Sequence, residues 1–309
     1  MAKYLVTGGA GFIGSHLCDA LLGAGHRVRV LDDLSTGKRA NLDARAELVV
    51  GDVGDAAAVA AAAEGMDGIV HLAAVASVQR STEDWPGTHR TNLTGTIHVF
   101  DAARRADGGI PVVYASSAAV YGNNPKLPLA EDSATKPLSA YGADKLGCEL
   151  HAHVAGLVHG VPSAGFRFFN VFGPRQDPAS PYSGVISIFA ARVQKGQACT
   201  IQGDGGQARD FVYVADVVAA LRKGLDAASV SAPVFNVGTG HATSVLNLAR
   251  LLQRLARSNA DPAFAPPRAG DIRLSLSDCT RLRSLGWAPH TSLEAGLEAT
   301  LDWLRRTAT

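Results

Sequence analysis

The chain has 309 residues, a net charge of +1 and 47% apolar residues, enough for one large domain or a cofactor domain with a smaller partner. Its basic residues are scattered, which argues against a nucleic-acid footprint or a polybasic membrane patch. Its apolar runs are too short and too interrupted by charges and glycines to span a bilayer. Met1-Ala2-Lys3 leads straight into a strand pattern with no signal-peptide layout, so a cytoplasmic protein is expected. Cys18, Cys148, Cys199 and Cys279 form no C-x-x-C pair. They are read as reduced, buried thiols, and no metal site is expected.

In chain order, Lys3–Thr7 reads as a short apolar strand, followed by a glycine turn and a helix over Phe12–Gly23. Arg27–Leu31 is a second strand ending in Asp32-Asp33, and Leu48–Val50 a third ending at Gly51-Asp52. Gly68–Ala74 and Val112–Ser116 are the fourth and fifth strands. Helical patterns separate them at about Ala56–Ala63, Trp85–Arg105 and Ala140–His159. Strands that are apolar on both faces and alternate with helices predict a Rossmann-type, doubly wound parallel α/β sheet. Ser163–Phe169 reads as a further strand, then a Gly/Pro-rich loop runs over Gly173–Gly184. A helix at Val185–Lys195, strands at Cys199–Gln202, Phe211–Val214 and Val234–Val237, and helices at Val245–Arg257 and Leu293–Arg305 complete the pattern. The expected division is a cofactor domain over 1–172 and a smaller substrate lobe mainly over 173–309, with strands near 211–240 interleaved.

The turn Thr7-Gly8-Gly9-Ala10-Gly11-Phe12-Ile13-Gly14 joins the first strand to the first helix, with Gly8, Gly11 and Gly14 spaced G-x-x-G-x-x-G. Such glycines permit a tight turn, close approach of backbone to a pyrophosphate, and close helix–strand packing. The helix N-terminus adds oriented N–H groups and positive potential. An acid, Asp32, follows at the end of the second strand, where it can accept hydrogen bonds from ribose hydroxyls. That carboxylate favours NAD over NADP, although the nearby Lys38 and Arg39 could accept a 2′-phosphate. Asp52 closes the third strand, where it either reaches the adenine or caps the following helix.

Tyr141 and Lys145 are four residues apart on a helix, hence on one face and one turn apart. A free phenol titrates near ~10 and is a poor base at neutral pH. A neighbouring ammonium and a positive nicotinamide ring both favour the phenolate. Tyr141 can then take a proton from an alcohol while hydride leaves for NAD. Ser116-Ser117 closes the fifth strand, where a hydroxyl can hold the reacting oxygen.

Together these residues resemble the extended short-chain dehydrogenase/reductase family, and within it the UDP-hexose 4-epimerases. The resemblance includes the glycine turn, Asp32-Asp33-Leu34-Ser35, His71-Leu72-Ala73-Ala74, Asn92, Ser117 through Tyr121-Gly122, the Tyr141/Lys145 pair and Arg167-Phe168-Phe169-Asn170. It continues with Gly203-Asp204-Gly205, Arg209-Asp210-Phe211-Val212 and Asn236-Val237-Gly238-Thr239-Gly240. It implies NAD held by Gly8, Gly11, Phe12, Ile13, Gly14, Asp32, Asp33, Ser35, Thr36, Gly37, Asp52, Val53, Leu72, Ala73, Ala74, Asn92, Tyr141, Lys145 and Phe168. It implies catalysis by Ser117, Tyr141 and Lys145: oxidation of a UDP-sugar at carbon 4, rotation of the 4-keto sugar, and return of the hydride to the other face. Around the UDP-sugar it implies Ser77, Ser117, Tyr141, Asn170, Gln176, Gly184, Val185, Thr200, Gln202, Arg209, Arg268, Asp271 and Ser275. It also implies a homodimer, formed through helices at about Trp85–Arg105 and Ala140–His159.

Related dehydratases carry Thr-Asp-Glu where this chain has Ser117-Ala118-Ala119, and two alanines cannot supply the acid and base that 4,6-dehydration needs. Glucuronate epimerases and decarboxylases are closer rivals, with Arg175 and Arg273 as candidate cations for a sugar carboxylate. The loop Gly173-Pro174-Arg175-Gln176-Asp177-Pro178 and its continuation Pro181-Tyr182-Ser183-Gly184-Val185-Ile186 resemble epimerases of N-acetylated hexoses, as does Ala76-Ser77-Val78. Within Gly270-Asp271-Ile272-Arg273-Leu274-Ser275, the last position carries a tyrosine in glucose-restricted enzymes. A serine there leaves room for a 2-acetamido group. The expectation is interconversion of UDP-N-acetylglucosamine and UDP-N-acetylgalactosamine, with UDP-glucose and UDP-galactose as further substrates. A non-catalytic NAD sensor would lack the Tyr/Lys pair that this chain keeps.

Overall fold

The computed structural model describes residues 1–106, 109–178, 184–267 and 272–307. The first half runs β1 (Lys3–Thr7), α1 (Phe12–Gly23), β2 (Arg27–Asp32), β3 (Glu47–Val50), α2 (Ala56–Ala63), β4 (Gly68–His71), α3 (Val78–Glu83), α4 (Trp85–His89), α5 (Gly95–Arg105), β5 (Val112–Ser117) and α6 (Ala140–His159). The second runs β6 (Ser163–Phe168), β7 (Asn170–Phe172), α7 (Val185–Gln194), β8 (Thr200–Gln202), β9 (Ala208–Tyr213), α8 (Val214–Ala227) and β10 (Val234–Val237). It closes with β11 (Ala242–Ser244), α9 (Val245–Ala256), β12 (Ala263–Ala265), β13 (Leu274–Ser275), α10 (Thr280–Arg283) and α11 (Leu293–Thr307).

Seven strands form one parallel sheet in the order β10-β6-β5-β4-β1-β2-β3. Its strands are apolar on both sides because helices cover both faces. Under α1 and α8 lies a core of Leu17, Leu21, Val217, Leu221, Phe166 and Phe235. The opposite face packs Val59, Val99, Phe100, Cys148 and Ala152 from α2, α5 and α6. The later segments build their own core from Phe172, Phe189, Ile201, Phe211, Leu248 and Leu301. There β9 is central: it pairs with β7, β11 and β13, outside the large sheet.

Three expected elements differ by more than two residues; the strand expected over Phe211–Val214 runs Ala208–Tyr213. The strand expected over Gly68–Ala74 ends at His71, where the chain leaves the sheet. The helix expected over Trp85–Arg105 is α4, a π turn at Arg90–Thr94, and α5. Within the widened turn the Asn92 side chain meets the backbone of Val75: its Oδ1 accepts from Val75 N at 2.8 Å and its Nδ2 donates to Val75 O at 3.2 Å. π turns of this kind recur at functional sites. The four cysteines are buried and free.

Candidate active site

The strand order reverses between β1 and β4, and such a reversal opens a crevice at the carboxyl ends of the strands. The glycine turn lies there. Gly8 has φ +69°, and a Cβ on it would stand 2.6 Å from Ala73 N. A Cβ on Gly14 would stand 2.2 Å from Gly8 O. Gly11 begins α1 without any side-chain cap, so the first amides of the helix face the crevice with no competing side chain. A backbone cradle that a Cβ would fill, at an uncapped helix start, fits a dinucleotide pyrophosphate.

Asp32 ends β2 buried, and its carboxylate accepts Ala10 N at 2.9 Å and Leu34 N at 2.9 Å. Burial pushes its pKa up, while those two amides pull it back. Asp33 accepts both the amide and the hydroxyl of Ser35, at 2.9 and 2.6 Å. Ser35 and Thr36 are exposed, and Gly37 packs so near Asp32 that a Cβ would lie 2.6 Å from its Oδ1. Lys38 is ion-paired with Asp177 at 2.6 Å. Asp52 does not cap α2: Asp55 does, through Ala57 N and Ala58 N. The Asp52 carboxylate instead takes Gly54 N at 2.7 Å and Arg90 Nη2 at 2.5 Å. Phe12 and Ile13 open α1 half-buried, and Val53 is a core residue.

His71, which sequence reasoning left without a role, braces the crevice. Ala73 N donates to Thr7 Oγ1 at 3.3 Å, and Thr7 Oγ1 lies 2.7 Å from His71 Nδ1. His71 Nε2 lies 3.0 Å from Thr96 Oγ1, which donates to Asn92 O at 2.6 Å. Since Thr96 spends its proton on Asn92, the Nε2–H of a neutral imidazole donates to Thr96 and Thr7 donates to Nδ1. Burial, and secondarily the Lys145 charge, pushes the His71 pKa down to about 3. The chain of bonds joins the ends of β1 and β4 to the π turn, and it fixes Leu72–Ala74 beside the glycine turn.

Tyr141 and Lys145 occupy the first turns of α6, which Ser139 caps through Gly142 N at 3.1 Å. Lys145 is buried and donates to Ala115 O at 2.9 Å. Gly142 lets the helix press against the turn after β5: a Cβ there would stand 2.8 Å from Ala119 O. Tyr141, half-buried, immediately precedes Gly142, and in the turn that Gly142 meets, Ser117 Oγ accepts Ala119 N at 3.2 Å. Phe168 ends β6 in register with Ser117.

Beneath this pair lies a network that no local pattern announces. Ser116 Oγ donates to Glu149 Oε1 at 2.5 Å, and Arg167 grips the same carboxylate through Nε at 2.8 Å and Nη2 at 2.6 Å. Arg167 Nη1 continues to Tyr121 OH at 2.8 Å, and Tyr121 donates to Asn236 Oδ1 at 2.7 Å. Asn236 Nδ2 reaches Leu129 O and Asp278 O at 2.8 and 3.0 Å. Its members lie on α6, β5, the 3-10 turn Ala118–Tyr121 that follows it, β6 and β10, so their proximity exists only in the fold. Tyr141-x-x-x-Lys145-x-x-x-Glu149 shares one helical face, and Tyr121, Arg167 and Asn236 stand in motifs that carry the resemblance, but nothing local links them.

Five residues expected at the substrate, Asn170, Val185, Thr200, Gln202 and Arg209, line one cavity of about 400 Å³. They come from β7, α7, β8 and β9. Sequence reasoning missed Arg192 and Gln207, which also line it; Arg192 donates to Thr200 Oγ1 at 2.9 Å and Gln207 to Gln202 O at 2.8 Å. Arg192 stands seven residues after Val185 on α7, on the same face, a periodicity that could have found it. Ser275 pairs in register with Arg209 across β13 and β9. Gln176 lies against Gly184, within 3.5 Å of where a Cβ would stand. Ser77 is buried and caps α3 through Arg80 N at 3.0 Å. Arg268 and Asp271 lie outside the described residues. The two cations considered for a sugar carboxylate are both engaged by acids: Arg175 with Asp19 at 2.7 Å, and Arg273 with Asp204 at 2.7 Å. Among the described residues no group of His, Cys, Asp and Glu could hold a metal ion.

A parallel sheet with a glycine turn at its reversal point and a Tyr/Lys helix beside it defines a Rossmann enzyme of the nicotinamide-dependent class. The chain belongs to the NAD dependent epimerase/dehydratase family, whose model matches residues 4–238, and NAD is its cofactor. It is 40% identical to a UDP-glucose 4-epimerase of Mycolicibacterium smegmatis over 98% of both chains. The structure resembles UDP-glucose 4-epimerase of Thermotoga maritima with UDP-glucose, at 36% identity and TM-score 0.95, covering 99% of this chain and 100% of that one. It also resembles UDP-N-acetylglucosamine 4-epimerase of Methanobrevibacter ruminantium in complex with UDP-N-acetylmuramic acid, at 34% identity and TM-score 0.94, with 99% of both chains covered.

Proposed function

We propose that the protein is a UDP-hexose 4-epimerase that interconverts UDP-N-acetylglucosamine and UDP-N-acetylgalactosamine and also turns over UDP-glucose and UDP-galactose. The observation that carries this reading is the cavity where Asn170, Val185, Thr200, Gln202 and Arg209 converge from four elements, a site for a nucleotide anchor. Arg209 suits a pyrophosphate. Full-length similarity to 4-epimerases of both plain and N-acetylated UDP-sugars supports the same substrate class.

NAD, when bound, supplies the acceptor and donor of the hydride. Tyr141 takes the proton from the 4-hydroxyl and later returns one, with Ser117 holding that oxygen. The buried Lys145 is fixed on Ala115 O, one helical turn from Tyr141 on the same face of α6. The cavity holds the UDP while the 4-keto hexose turns, so hydride returns to the opposite face. Ala118 and Ala119 offer no acid or base for dehydration. Arg175 and Arg273 each pair with an acid, Asp19 and Asp204, which supports a hexose without a carboxylate as the substrate.

Ser275 supports the N-acetylated pair. It stands in register with Arg209, and its hydroxymethyl leaves space where a phenol would crowd a 2-acetamido group. Replacing Ser275 by tyrosine tests this: turnover of UDP-N-acetylglucosamine should fall at least tenfold with UDP-glucose turnover kept. Parallel rates for both sugars would refute the steric argument. A homodimer fits the exposed apolar stripe Leu150, Val154, Leu157 and Val158 along α6, with helical spacing. Among the described residues no helix is long and apolar enough to cross a membrane.

A further inference from the structure

The segment after β7 touches the cofactor half of the molecule at three points. His16 Nε2, on α1, lies 2.9 Å from Pro174 O. Arg175 Nη2 pairs with Asp19, also on α1, at 2.7 Å. Asp177 pairs with Lys38 at 2.6 Å. Lys38 belongs to the loop that follows Asp32, and that loop is pinned to the glycine turn: Lys38 N and Asn41 Nδ2 both donate to Ala10 O, at 3.0 and 2.9 Å. The contacts therefore fall on the two elements that flank the glycine turn, and both are reached by a segment of four residues. Arg175 holds φ +68° to make its contact, a conformation that a non-glycine residue keeps only where surrounding contacts over-determine it.

We propose that Pro174–Asp177 is a clasp that retains the dinucleotide, closing the adenosine end of the crevice by bridging α1 to the loop after Asp32. Its chemical purpose follows from the proposed reaction, on which the inference rests. A hydride taken from carbon 4 must be returned by the same cofactor molecule. Release of NADH in mid-cycle would leave a 4-keto sugar that the enzyme cannot reduce. Exposed ion pairs are individually weak; acting together on one short segment, they slow opening without forming part of the reacting centre.

The test is the release rate of NADH from loaded protein, followed by the decay of its bound-state fluorescence after addition of excess NAD. Asp19→Asn and Asp177→Asn are the variants, since neither carboxylate is a partner for a pyrophosphate. The double variant should release NADH about tenfold faster, with the affinity for UDP and the melting temperature of the cofactor-free protein unchanged. The charge-swapped pair Lys38→Asp with Asp177→Lys should release more slowly than Asp177→Lys alone. Release within twofold of the parent in the double variant overturns the clasp. So does faster release accompanied by an equal loss of UDP affinity, which would make the contacts a general brace of the lobe. Absence of 4-epimerisation would refute the proposed reaction and leave the measured release rates standing, so the two failures are distinguishable.

Discussion

Glu149, on the helix that carries Tyr141 and Lys145, pairs with Arg167 of β6, with each side chain 7% exposed. Burial on its own would lower the Arg167 pKa, and the Glu149 carboxylate more than offsets that and holds it above the ordinary value. Glu149→Gln turns one carboxylate oxygen into an amide that faces the guanidinium, donor against donor. Breaking one partner of a buried pair costs about 3–5 kcal/mol. Here the lower end applies, because Arg167 keeps Tyr121 OH, Glu131 O and the face of the Tyr121 ring, 4.8 Å from its guanidinium carbon. A loss of about 3 kcal/mol lowers the melting temperature by roughly 6 °C for a chain of this size. Thermal unfolding followed by circular dichroism is the assay. Glu149→Leu with Arg167→Met should recover more than half of the loss, since apolar replacement of a whole buried pair is close to neutral. A melting temperature within about 1 °C of the parent for Glu149→Gln would refute the claim that this desolvated pair holds β5, β6 and α6 together.

Gly14→Ala places a methyl 2.2 Å from Gly8 O, so the turn must open, at about 1–3 kcal/mol of overpacking. NAD content after purification should fall sharply, and parental content would contradict the close-packed cradle. For His71 the folded pKa, about 3, lies below the unfolded value of 6.5. The unfolded chain therefore binds the extra proton between those values, so stability is intact above pH 6.5 and is lost as pH falls toward 3. The two values set the scale on the order of 5 kcal/mol. An imidazole NMR signal for His71 that stays neutral from pH 8 to pH 5 checks this, and a midpoint near 6.5 would contradict it. Tyr141→Phe should lower turnover by about 10²–10⁴-fold with NAD still bound; turnover at the parental rate would remove Tyr141 from the chemistry.

Much of the cofactor half was legible because its signals are local. The Phe12–Gly23, Ala56–Ala63 and Ala140–His159 helices have the expected bounds, since glycine turns, an Asp or Ser cap and periodicity all act within a few residues. The break at Arg90–Thr94 was not legible: within it Asn92 meets Val75, seventeen residues earlier, and no local pattern records that contact. The α8 helix over Val214–Ala227 went unread although Val214, Val217, Val218 and Leu221 bury one face at helical spacing; that signal was present. Buried acids were the least readable. Asp210 accepts Thr239 N, Gly240 N and Ser277 Oγ at 2.7, 2.9 and 2.5 Å. It thereby organises the Asn236–Gly240 segment that the sequence singled out without a cause. Such partners lie tens of residues apart, and only the closed fold brings them together.

The proposed reaction inverts carbon 4 of a UDP-hexose without net redox change. Incubating purified protein with UDP-N-acetylglucosamine and, separately, UDP-glucose, and following the anomeric and carbon-4 protons by NMR, tests it most directly. Each should be converted to a mixture with its galacto epimer, with no accumulation of free NADH. Both substrates remaining unchanged in the presence of bound NAD would contradict it.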